Sequence, residues 1–86
     1  MPFAWDADML HALADLGVRP GPGTPPALVK DYVSRLYRYE LRGLRDRYVA
    51  GEFHKADFHA LIIALRPRYW MLSIPAARWA DEAPPV

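Results

Sequence analysis

A start signal, Thr24-Pro25-Pro26, and a stop signal, Gly51, enclose one long helix-compatible stretch, and no other feature constrains this chain as strongly. A threonine oxygen can cap a helix, prolines in the first turn forfeit no helical hydrogen bond, and glycine readily closes a helix in the left-handed region. The punctuation therefore predicts a continuous helix over 25–50. At about 100° per residue, Val29, Val33, Leu36, Tyr37, Leu41, Leu44 and Tyr48 converge on one face, with Leu28, Tyr32 and Tyr39 beside it. The apolar arc is expected to cover more than half of the circumference. Gly43 continues the series Tyr32, Leu36, Tyr39 and costs about 1 kcal/mol of helix propensity relative to alanine. Its missing side chain would permit close approach of another helix.

A helix over 25–50 would be about 39 Å long, whereas a compact chain of 86 residues has a radius of gyration of about 12 Å. The rod is expected to overhang its own domain. Its uncovered apolar side then calls for a second chain, either a twofold homodimer across Tyr32, Leu36, Tyr39 and Gly43 or another protein partner.

Shorter elements flank the rod. Asp6 stands where an N-cap belongs and Gly17 where a helix should end, which predicts a helix over 7–16 with Met9, Leu10, Leu13 and Leu16 inward. Residues 17–24 form a Pro/Gly linker that breaks every regular pattern. After Gly51 and a short turn in which His54 occupies a capping position, residues 55–66 place Phe58, Leu61, Ile62 and Leu65 on one face, ended or kinked at Pro67. Two helices joined so briefly are expected to form an antiparallel helical hairpin. The spacing of Leu41, Leu44, Tyr48, Gly51, Phe53 and Phe58 is similar to that of helical-hairpin oligomerisation modules, a likeness confined to residues 41–58. A further short helix is expected over 75–82, with residues 83–86 as a flexible tail. No alternating stretch of useful length points to a strand.

Composition narrows the class. With 52% hydrophobic and 13% aromatic residues the chain carries a foldable core, and with no cysteine it is held by neither disulfides nor thiolate zinc. The longest uncharged runs, such as 69–77, fall well short of the ~20 residues a membrane-spanning helix needs. The expectation is a single all-α domain of three to four helices, cytoplasmic and without a membrane segment. Nine arginines against two lysines fit a bacterial chain from a GC-rich genome. Charge is unevenly spread: residues 1–29 carry −2, residues 30–68 carry +4 and residues 69–86 carry −1, which sums to the net +1.

Little here resembles catalytic machinery. His54 and His59 are five apart, not the three or four that aligns ligands on a helix, and His11 is remote in sequence. Asp57 and His54 make an ordinary local pair. Gly21-Pro22-Gly23-Thr24-Pro25 has prolines where a phosphate cradle needs free N–H groups, and neither Ser34 nor Ser73 sits in a nucleophile elbow. No catalytic residue, cofactor or metal is assigned.

The chemistry that stands out is electrostatic. Arg35, Arg38, Arg42 and Arg45 form a line away from the main seam, with Asp31 and Asp46 each four residues from one of them. The line reads first as a solvated face laced by ion pairs, then as a dock for an acidic protein surface, and last as a nucleic-acid backbone site. The pI of about 8.1 argues against the last. Glu40 falls inside the apolar arc, where it either reaches Arg47 or marks a buried polar pair. Trp70 and Trp79, with Tyr69, Phe3 and Trp5, are expected to cap the hairpin's open side or to anchor a partner. The sequence thus points to a non-catalytic interaction or oligomerisation module, with a nucleic-acid-binding regulator as the alternative.

Overall fold

The structure is a computed structural model that describes residues 3–82. It is mostly helical. In chain order the elements are β1 (Phe3–Trp5), α1 (Ala7–Asp15), α2 (Pro26–Val49), α3 (Lys55–Leu65), 3₁₀ helices at Arg66–Ser73 and Ala76–Arg78, and β2 (Ala80–Glu82). The residues expected to form a tail, 83–86, lie outside the described residues.

The helix ends follow their local chemistry. The Asp6 carboxylate accepts the Met9 N–H at 3.0 Å, capping α1 as the sequence implies. α1 and α2 then stop in the same way, each with a glycine at positive φ: Gly17 at 78° and Gly51 at 82°. At α1, Gly17 N–H reaches Ala14 O and Val18 N–H reaches Leu13 O. At α2, Gly51 N–H reaches Tyr48 O and Glu52 N–H reaches Arg47 O. Both are Schellman closures, which satisfy carbonyls that the helix would otherwise leave open.

The start of α2 differs by one residue from expectation, for a steric reason. Pro26 pushes the residue before it out of the helical region, so Pro25 sits extended at φ −65°, ψ 136° and becomes the cap residue. Thr24, expected to cap, instead turns its hydroxyl back to accept Gly21 N–H at 3.0 Å, closing the linker. At the other end of α3, Pro67 does not stop the helical path. Arg66 keeps helical dihedrals, the chain tightens into the 3₁₀ helix, and the break falls at Tyr69, with φ −115° and ψ 27°.

The expected helix over 75–82 is replaced by a single 3₁₀ turn and a strand. β2 pairs antiparallel with β1, Phe3 opposite Glu82, Ala4 opposite Asp81 and Trp5 opposite Ala80. Asp6 N–H extends the pairing to Trp79 O at 3.2 Å. Strands this short carry no readable alternation, and the ladder joins segments that are far apart in the sequence.

That core lies around the N-terminal half of α2. Met9 and Leu13 from α1, Val29 and Val33 from α2, and Tyr69, Met71 and Trp79 from the C-terminal segment are buried together. Between Leu36 and Val49, α2 contributes no buried residue. There Leu41 and Leu44 pack half-buried against the edge of the core at Leu65 of α3, and beyond them the two helices meet only through an aromatic seam, Tyr48 stacked on Phe58 at 4.6 Å between ring centroids with Phe53 alongside. The chain is therefore a head carrying the core and a slender arm. Its radius of gyration is 15.8 Å and its extents are 58 × 18 × 16 Å, well beyond the ~12 Å radius of a compact chain this long.

Candidate functional site

An apolar strip runs along the outer side of α2. Leu28, Tyr32 and Tyr39 are 61%, 57% and 73% exposed. With Gly43 they fall within about 60° of arc at ~100° per residue. A Cβ added to Gly43 would meet no atom within 4 Å among the described residues, so the gap left by its missing side chain is not used within the chain. Leu36 is the exception among the expected strip residues, because it turns partly inward and packs against the core.

The linker raises one wall beside this strip. Val18 and Pro20 face Leu28 and Tyr32 across a groove of about 340 Å³, and Arg19, Asp31 and Arg35 stand at its rim. This groove was not legible in the sequence, since it depends on how the Gly17 closure directs the linker back along α2. A smaller groove of about 240 Å³ follows on the arm, lined by Glu40, Gly43, Leu44, Arg47 and Leu65.

The arginine line is where the helix periodicity puts it. Arg35, Arg38, Arg42 and Arg45 are all exposed. Arg35 pairs with Asp31 at 2.9 Å. The other anticipated pair, Arg42 with Asp46, does not form, and Arg38, Arg42 and Arg45 have no ion-pair partner among the described residues.

The tryptophans separate. Trp79, expected at an interface, is fully buried in the head, where its indole N–H donates to Ile74 O at 3.0 Å. The pairing of β2 with β1 turns this segment inward, so Trp79 belongs to the core. Trp70 stays 41% exposed and lines two shallow grooves, one with Leu16 and Pro67 and one with Tyr37 and Leu72. Phe3 and Trp5 are half-buried, in the two-stranded sheet and not on a hairpin.

Glu40 resolves as a polar cluster at the junction of head and arm. It accepts a hydrogen bond from the Tyr69 hydroxyl, and Arg68 Nη1 lies 4.0 Å from its other oxygen. Arg47, the expected partner, pairs instead with Glu52 at 3.3 Å and lies over the Phe53 ring. Burial, then the hydrogen bond and charge of Glu40, push the Tyr69 phenol well above its ordinary value. Its ring also contacts Tyr37, with centroids 4.8 Å apart.

Among the described residues no three His, Asp or Glu side chains gather where they could hold a metal ion, and His11, His54 and His59 are all exposed. Ser73 donates to Trp70 O at 2.8 Å. No helix among the described residues is long and apolar enough to cross a membrane.

The geometry defines a mainly helical chain with a packed head, a two-helix arm and an uncovered apolar strip shared between them. Comparison with protein-family models, curated proteins and solved structures finds no match.

Proposed function

We propose that this chain is a non-catalytic protein-interaction module that acts by self-association, with the outer strip of α2 as the contact. One observation carries the reading: Leu28, Tyr32 and Tyr39 remain more than half exposed along an unbroken helix, on the same side as the open space at Gly43. Aromatic residues are favoured anchors at protein interfaces. In this reading α2 and α3 act as an antiparallel helical hairpin that holds the strip rigid, and the protein is a cytoplasmic accessory subunit. Light scattering on the eluting protein tests it: the mass should rise from monomer to dimer with concentration. A clean monomer at tens of micromolar overturns self-association.

A second reading rests on the arginines. Arg38, Arg42 and Arg45 are exposed and without ion-pair partners among the described residues, an arrangement suited to the phosphate backbone of a nucleic acid. It predicts binding to DNA or RNA that weakens steeply with salt and weakens further when Arg38 and Arg42 become alanine. Absence of binding at low salt retires it.

A further inference from the structure

Leu28 and Gly43, and likewise Tyr32 and Tyr39, are placed symmetrically about the Arg35–Leu36 midpoint of the exposed strip. From this symmetry we infer that two copies pair antiparallel through α2, with the twofold axis at Arg35–Leu36 and Tyr39 of each copy seated in the groove formed by Val18, Pro20, Leu28 and Tyr32 of the other. The inference rests on the self-association proposed above and adds its polarity and register.

Size complementarity is the first argument. A twofold axis perpendicular to both helices sets each position against its mirror about the midpoint. The largest aliphatic side chain of the strip, Leu28, then faces the partner's Gly43, where a side chain is missing and the space is open. Tyr32 faces the partner's Tyr39, the most exposed aromatic on the strip, and brings it over the 340 Å³ groove. A parallel pairing would instead set Gly43 against the partner's Gly43 and groove against groove, leaving both unfilled.

Charge is the second. Asp31, Arg35 and Arg42 lie on the same flank of α2, and the twofold operation keeps that flank on the same side in both copies. Arg42 then falls about two residues, or ~3 Å along the axis, from the level of the partner's Asp31. The arginine left unpaired by Asp46 thereby gains a carboxylate. The two Arg35 side chains meet near the axis, each already paired with its own Asp31 at 2.9 Å. A parallel twofold pairing sets this flank on opposite sides of the seam in the two copies and separates Arg42 from the partner's Asp31 by eleven residues, about 16 Å along the axis.

Shape is the third. In the antiparallel arrangement the thin arm of one copy lies beside the head of the other, so the wall raised by Val18 and Pro20 meets a helix narrow enough to fit against it. The parallel arrangement sets head against head.

The absence of cysteine makes the test clean. Light scattering on the unaltered chain first establishes whether a dimer forms; a monomer overturns both the self-association and this inference. Given a dimer, a spin label at Lys55→Cys, at the tip of the arm and off the strip, reads polarity. Antiparallel pairing places the two labels more than about 30 Å apart, because each tip lies some fourteen residues of helix rise from the axis. A short distance, with the tips side by side, overturns the inference and leaves the dimer standing. Register is read by mild oxidation of mixed Leu28→Cys and Gly43→Cys chains. The mixture should cross-link several-fold more than either variant alone, whose own cysteines would be about 22 Å apart along the axis. Equal or greater linking of Leu28→Cys to itself overturns the register, as does a dimer with distant tips and no mixed cross-link.

Discussion

The Tyr69 hydroxyl donates to the Glu40 carboxylate and thereby ties the 3₁₀ helix at Arg66–Ser73 to the middle of α2, where the core-bearing head gives way to the arm. Beside this bond Tyr37 packs on the Tyr69 ring, Leu65 is buried and Arg68 approaches the other Glu40 oxygen.

Because burial and Glu40 favour the neutral phenol, the folded-state pKa of Tyr69 lies above its unfolded value of about 10, and the resulting stability is complete below that pH. It is lost as the pH rises from there toward the folded-state value. The melting temperature is therefore expected to fall as the pH rises above about 10, and to fall less in Tyr69→Phe. That variant should itself cost about 1–2 kcal/mol at neutral pH through the lost bond to a carboxylate. An equal alkaline decline in both proteins would refute the role given to this pair.

Trp79 and Trp70 should respond very differently to the same change. Trp79→Ala removes a fully buried indole and should destabilise by about 3–5 kcal/mol, enough to leave a small domain largely unfolded. Trp70→Ala, at a site 41% exposed, should cost under about 1 kcal/mol. Urea unfolding of the two variants, with comparable slopes, measures both.

Gly43 within α2 and Gly51 just past its end make opposite predictions. Gly43 is helical with open space around it, so Gly43→Ala should stabilise the dilute monomer by about 0.5–1 kcal/mol while weakening association if the partner's Leu28 fills that space. Gly51 sits at φ 82°, where a side chain is strained, so Gly51→Ala should destabilise by about 1–2 kcal/mol. Thermal melts at low concentration, paired with light scattering at high concentration, separate the two effects.

Hydrogen exchange should divide α2 along its length. The amide of Val33, beneath the head, should exchange only on global opening, whereas those near Val49 and in the first turns of α3 should exchange faster in the dilute monomer, because the arm's tip is exposed. Uniform protection along the helix in the monomer would contradict the division into head and arm.

The helices were legible because their signals are local. Asp6 and Gly17 bound α1, Gly51 closes α2, and the apolar spacing from Val29 to Tyr48 sets its inward face, all within a few residues of chain. The start of α2 shifted only because two consecutive prolines compete for the first turn. The pairing of β1 with β2, the burial of Trp79 and the groove walled by Val18 and Pro20 were not legible. Each joins segments distant in sequence, and a three-residue strand or a single tryptophan carries no mark of its partner.

By itself, then, the sequence determined an unbroken helix with more apolar surface than its neighbours could cover, since periodicity and end caps act over distances of one or two turns. Which of those apolar residues stay uncovered was decided only when the chain's two ends met. Pairing Phe3–Trp5 with Ala80–Glu82 draws Trp79, Met71 and Leu13 onto Val29 and Val33. That core spends the short elements on one half of α2, and leaves Leu28, Tyr32 and Tyr39 facing outward on the other side.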